Sequence, residues 1–295
     1  NEGVIKFTDT FDCEGGRFLY MGKILKDHES YGVMPIEDII MKSSNIGAAK
    51  IGLKLGEERL YQYIQDFGFG AKTEVGLGGE GVGILHNVKN WDKLAITRIP
   101  MGQGISVTQI QMMMAMCAIA NGGRLMRPIL LDRIQDQNGQ IFVRNHPQMV
   151  RQVISEASAR ETVQALKKVP TKTGTAEKAR MEHYTVAGKT GTAQKAGGKG
   201  YLEGKYFSSF IGFFPADAPE ICISVVLDEP KNGHYGGQTA APFFKEIADQ
   251  VANYLKIKPD HEEAPAEDVI ASTAAVPRVN TASAAPLTLN PAGHP

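Results

Sequence analysis

Cysteine is scarce in these 295 residues. Cys13, Cys117 and Cys222 are odd in number and widely separated, which suits neither a disulfide framework nor a zinc site. The seven histidines are scattered without a metal-spaced pair, so neither a metal nor another cofactor is expected. Net charge is absent as well. Lys and Arg number 32, as do Asp and Glu, so no basic face is forced and nucleic acid is not expected as a partner. No apolar run approaches the roughly 20 residues of a membrane span. The chain opens on Asn1 with no signal-peptide pattern, and any anchor or export signal is expected before that residue.

What is present is a 42% hydrophobic content, enough for one large core or two smaller ones. A strand-like piece at 4–8 comes first. Pro35 then opens a segment with Ile36, Ile39 and Ile40 on one helical face, and Ser43-Ser44-Asn45 interrupts it. A second helix over 46–55 ends at Gly56, and a third follows over 57–66. Ser106 with Gln109 has the form of a capping box. It is expected to start a helix carrying Ile110, Met113, Met114, Cys117 and Ile119, which stops at Asn121-Gly122-Gly123 and reads as core. Another amphipathic helix is expected over 155–169. Strand patterns follow at 184–188, 206–214 and 221–227, the last two joined by Asp217-Ala218-Pro219 as an antiparallel hairpin. Pro242 is expected to start a final helix with Phe243, Ile247, Val251 and Leu255 along its buried stripe. Beyond that the composition shifts to Ala, Pro, Thr and Ser. The folded domain is therefore expected over 1–256 and a disordered tail over 257–295.

The chemistry concentrates in Ala187-Gly188-Lys189-Thr190-Gly191-Thr192-Ala193. A strand edge offers unpaired N–H and C=O groups to an extended peptide. Lys189 supplies positive charge for a carboxylate, and the hydroxyls of Thr190 and Thr192 can grip it. Gly191 lets backbone approach closely. The Thr192 N–H is a candidate oxyanion donor. The same five letters, Lys172-Thr173-Gly174-Thr175-Ala176, occur 17 positions earlier with no apolar alternation leading in. The second copy is taken as the site and the first as a loop. Gly188-Lys189-Thr190 lacks the upstream glycine of a phosphate loop, and Gly76-x-Gly78-x-x-Gly81 has no strand before it, so neither is read as a nucleotide site. Ser43-x-Asn45 completes the pattern: Ser43 can relay a proton and the Asn45 amide can hold a peptide carbonyl.

These elements, in order, carry a resemblance. Residues 41–50 (Met-Lys-Ser-Ser-Asn-Ile-Gly-Ala-Ala-Lys), 102–109 (Gly-Gln-Gly-Ile-Ser-Val-Thr-Gln), 186–194 around Lys-Thr-Gly, Tyr235-Gly236-Gly237 and Ala240-Ala241-Pro242 resemble the transpeptidase domain of class B penicillin-binding proteins, most of all those of the FtsI/SpoVD type. The resemblance covers roughly residues 20–256. It implies an α+β fold like that of penicillin-binding proteins and serine β-lactamases: an antiparallel sheet flanked by helices, with an all-helical lobe. It implies D,D-transpeptidation of peptidoglycan stem peptides, in which a serine attacks the penultimate D-Ala carbonyl and penicillin acylates the same serine. Ser43, Asn45, Lys189, Thr190, Gly191 and Thr192 match the family's motif positions. The family's third motif, Ser-x-x-Lys, occurs nowhere in the 295 residues, and Thr175-x-x-Lys178 and Thr192-x-x-Lys195 are not substitutes for it. The domain is therefore expected to be incomplete, inactive on its own and poorly folded alone. Stem peptides and β-lactams are the implied ligands, membrane division or elongation proteins the possible partners, and the extracytoplasmic face of the cell membrane the implied location. Two alternatives share the motifs: a serine β-lactamase or D,D-carboxypeptidase, and a non-catalytic stem-peptide-binding scaffold.

Overall fold

Short strands open the chain in the computed structural model, which describes residues 1–198 and 200–260. These are β1 (Thr10–Asp12), β2 (Arg17–Tyr20), β3 (Lys23–Lys26) and β4 (Val33–Pro35), with β1 paired to β4 and β2 to β3, all antiparallel. Residues 4–8 form bends and a turn rather than the expected strand. Pro35 then ends β4 and caps α1 (Ile36–Lys42), whose Ile36, Ile39 and Met41 are buried. Only Ser43 and Ser44 separate α1 from α2 (Asn45–Leu55). Ser43 takes the left-handed conformation at φ 58°, and its N–H closes the end of α1. The Ser44 hydroxyl caps α2, accepting from the Gly47 N–H at 3.0 Å. The carboxylate of Asp27 braces this corner, accepting from the Ser44 hydroxyl at 2.7 Å and from the Ile46 N–H at 3.0 Å.

After α3 (Glu57–Asp66) the chain is largely irregular until α4 (Ala95–Arg98) and α5 (Gln109–Ala120). The capping box of α5 lies two residues beyond the expected one: Thr108 caps, and Gln111 answers it. Ser106 is unavailable because it pairs in extended form with Ile84, which delays the first helical turn. The methionines of α5 do not form one stripe either. Met113 and Met116 pack on the sheet while Met114 packs with Leu125 and Val153 on another side, so neighbours surround most of the helix. Two small ladders follow, β5 (Arg124–Met126) with β8 (Met149–Gln152) and β6 (Arg133–Gln135) with β7 (Ile141–Arg144). Ser155 then caps α6 (Glu156–Lys167).

The main sheet comes last, as β9 (Ala187–Gly197), β10 (Gly200–Phe214) and β11 (Ile221–Asp228), antiparallel in the order β11-β10-β9. Strand alternation sorts its side chains between two cores. Phe210 and Phe214 face α7 (Gly236–Leu255), where Phe210 meets Phe244 edge-on at 4.7 Å. Ile211 and Phe213 face the other way, toward Met116 of α5 and Val163 and Leu166 of α6. The sheet is thus flanked by helices on both faces, the α+β arrangement the sequence implied.

Two expectations about α7 need correction. The helix starts at Gly236, so Pro242 lies inside it rather than at its head. Its buried face is Gly237, Ala240, Ala241, Phe244, Ala248 and Ala252, while Phe243, Ile247 and Leu255 are 50%, 43% and 50% exposed. Small residues bring the helix axis close to the sheet, and the larger apolar residues are left outside. The folded body also runs past 256. Ile257 is buried against the α7 core, and the Asp260 carboxylate accepts from the Thr185 N–H at 2.8 Å. The rest of the expected tail lies outside the described residues. Among the described residues no helix is long and apolar enough to cross a membrane.

Candidate functional site

Strand β9 is an edge strand, and its alternation splits the Lys-Thr-Gly-Thr run between two sides. Lys189 pairs with Ile211 and Gly191 with Ser209, while Thr190 pairs with Phe210 and Thr192 with Ser208. Lys189 therefore points toward the α1–α2 corner, and the two threonines lie on the side of α7. The Lys189 ammonium donates to the Ser43 hydroxyl at 2.7 Å, joining residues 146 positions apart, and to the Thr190 carbonyl at 3.2 Å. Among the described residues it forms no ion pair with a carboxylate. The ammonium is deep enough that loss of hydration pushes its pKa down to about 8, although the residue as a whole is only half-buried. An enclosed cation without an anion is a place where a substrate carboxylate relieves an electrostatic penalty.

On the other side, the Thr192 hydroxyl accepts the Gly236 N–H at 3.2 Å, which pins the N-terminus of α7 to β9. The helix thus directs the positive end of its dipole at the strand edge. Gly236 and Gly237 make this approach possible. A Cβ on Gly236 would collide with the carbonyls of Ser209 and Gly191, and one on Gly237 with that of Thr175. The rings of His28, Tyr235, His234 and Tyr206 run in a row from this point, Tyr235 being 5.1 Å from His28 and His234 stacking on Tyr206 at 4.4 Å.

Asn45 is placed less directly. Its amide donates to the Lys26 carbonyl at 3.0 Å and, among the described residues, to neither Ser43 nor Lys189, which leaves its second amide proton for a ligand. Ser43, Lys189, Thr190, Gly191 and Thr192 share one region, and Asn45 flanks it from the first turn of α2.

Sequence reasoning missed the use of the first Lys-Thr-Gly copy. It is a loop, as expected, but a loop beside the site. The Thr175 hydroxyl lies 3.0 Å from that of Thr190, Thr173 reaches the Met41 sulfur at 3.7 Å, and Ala176 bonds back to Val169 at 3.0 Å. No local signal marks this; only the fold brings residue 175 to residue 190.

The α1–α2 corner thus meets the β9 edge strand through Ser43 and Lys189, and the model of the penicillin-binding protein transpeptidase domain matches residues 1–249. The chain belongs to that family. This transpeptidase-family chain is 39% identical over 231 residues to stage V sporulation protein D of Bacillus subtilis, covering 78% of the chain and 36% of that protein. It is 33% identical over 241 residues to peptidoglycan D,D-transpeptidase FtsI of Buchnera aphidicola, covering 80% of the chain and 40% of that protein. It thus spans well under half the length of these relatives. Among solved structures it superposes on the transpeptidase domain of penicillin-binding protein 3 from Burkholderia pseudomallei with a TM-score of 0.80 and 32% identity, covering 88% of this chain and 76% of that one. It also superposes on penicillin-binding protein 3 of Mycobacterium tuberculosis complexed with ampicillin, with a TM-score of 0.80 and 30% identity, covering 90% of this chain and 60% of that one. The fold is that of these domains.

Proposed function

We propose that this chain forms the substrate-gripping and proton-relay side of a peptidoglycan D,D-transpeptidase site. The observation that carries the reading is the hydrogen bond from the Lys189 ammonium to the Ser43 hydroxyl, which closes two separate motifs into one cleft wall. An extended stem peptide would pair along the edge of β9, with its terminal carboxylate held at that edge between the Lys189 charge and the hydroxyls of Thr190 and Thr192 near the positive end of α7. The second amide proton of Asn45 would hold a peptide carbonyl. Ser43, bonded to a lysine whose pKa of about 8 lies near the working pH, suits a relay that delivers a proton to the departing amine. The same contacts fit a β-lactam, whose carboxylate mimics that of the D-Ala terminus. Ser-x-x-Lys does not occur in these residues, so they account for holding the substrate and moving its proton rather than for the attack. The site belongs on the extracytoplasmic face of the cell membrane, where its substrate lies and where division or elongation proteins are the fitting partners.

The test is covalent labelling of the full-length product of the gene by a fluorescent penicillin. A long-lived adduct is expected, and Lys189→Ala should slow its formation on the order of 100-fold. Rapid turnover of the label would make the protein a β-lactamase, and no labelling would make it a scaffold. Either result overturns the proposal.

A further inference from the structure

The three cysteines are spaced like unrelated residues, yet the fold brings two of them together. Met113, Met116, Cys117 and Ala120 follow the i, i+3, i+4, i+7 spacing of one face of α5. Met116 is buried in the cluster between helix and sheet, and Met113, Ala120 and Cys222 all pack against that same cluster. Alternation on β11 agrees. Ile221, Ile223, Val225 and Leu227 pack toward α7, which leaves Cys222 and Ser224 on the α5 side. Two turns before Cys117, the Gln109 amide donates to the Ser224 carbonyl at 3.0 Å and to its hydroxyl at 3.3 Å, fixing the helix along the strand. Cys117 on α5 and Cys222 on β11 therefore face one another where the helix packs on the sheet, and both thiols are free and only partly buried. Cys13 is elsewhere, buried against Ser44 and Met34 at 3.4 and 3.8 Å.

We infer that Cys117 and Cys222 form a dithiol that a small-molecule disulfide closes to an intramolecular disulfide, tying α5 to β11. The attacking sulfur is that of Cys117. The neighbouring Cys222 lowers the Cys117 pKa, while the neighbouring Cys117 and burial raise that of Cys222. The Cys117 thiolate attacks one sulfur of the oxidant, whose S–S bond breaks and whose other half leaves as a thiolate that takes up the proton Cys117 lost. Cys222 then gives up its proton and attacks the Cys117 sulfur of the mixed disulfide, expelling the second half of the oxidant as a thiol. Two protein thiols are oxidised and one external disulfide is reduced to two thiols, so protons and electrons balance.

The experiment incubates the chain with oxidised glutathione, counts thiols after denaturation and maps peptides without reduction. The free thiol count is expected to fall from three to one, with a 117–222 cross-linked peptide, a mass lower by two hydrogens and no retained glutathione. Cys13→Ser should keep the cross-link, and Cys222→Ser should trap glutathione on Cys117. Oxidised wild-type chain should also melt at a higher temperature than reduced chain. Persistence of all three thiols, stable glutathione adducts on the wild type, or a cross-link involving Cys13 would each overturn the inference. The peptide map of the wild type decides the matter even where a variant fails to fold.

Discussion

Lys189 is the residue on which the electrostatics turn. Its pKa falls from 10.5 in the unfolded chain to about 8 because its ammonium loses hydration without gaining an anion. Between those values the unfolded state binds more protons than the folded one, so this group makes stability rise with pH from about 8 to 10.5. Urea midpoints across that window should rise in the parent and stay flatter in Lys189→Met, by a difference on the order of 2 kcal/mol. A ligand carboxylate needs the charged form, so its affinity should fall as pH passes 8; calorimetric titration of a D-Ala-D-Ala peptide reads this directly. Thr175 is expected to matter through Thr190. Thr175→Val removes one hydroxyl partner and should slow β-lactam acylation of the full-length product roughly five-fold, while Thr175→Ser keeps the parental rate. At this scale the Lys189–Ser43 contact was legible, since a lysine, three hydroxyl residues and a glycine in fixed order stand out in the sequence as motifs. Thr175 was not, because its value lies in a contact made only by folding.

Elements were legible wherever the period was clean and illegible where small residues set the packing. The 206–214 and 221–227 strands and the two helices around Ser43 stand where their apolar spacing put them. The α7 stripe misled because Phe243 and Ile247 outweigh alanine in any reading by hydrophobicity, whereas close helix–sheet contact selects Ala240, Ala241, Phe244 and Ala248. Substitution separates the two registers. Phe244→Ala should cost about 3–5 kcal/mol in denaturant unfolding, and Phe243→Ala well under about 1 kcal/mol. The cap of α5 misled because a long-range pairing of Ser106 with Ile84 consumes the residue the pattern nominates. Removing the hydroxyl that does cap, in Thr108→Ala, should cost about 1 kcal/mol. Gln111→Ala should cost more, since that amide also holds the Ala71 and Val82 carbonyls at 2.7 and 3.0 Å.

For the whole molecule, balanced charge and a pI near 7.2 mean that little long-range repulsion keeps copies apart at neutral pH. The exposed apolar residues of α7 then have the least electrostatic protection near that pH. The link between Ser43 and Lys189 has a further consequence at this scale. Its two ends come from opposite halves of the chain, so a ligand that needs both recognises only states in which the corner and the strand have met. By mass action, anything that bridges the corner and the strand edge lends its affinity to global stability, about 2.7 kcal/mol at a hundredfold excess over Kd. An inhibitor seated there would act as a clasp across the molecule, slowing its unravelling and its destruction by proteases.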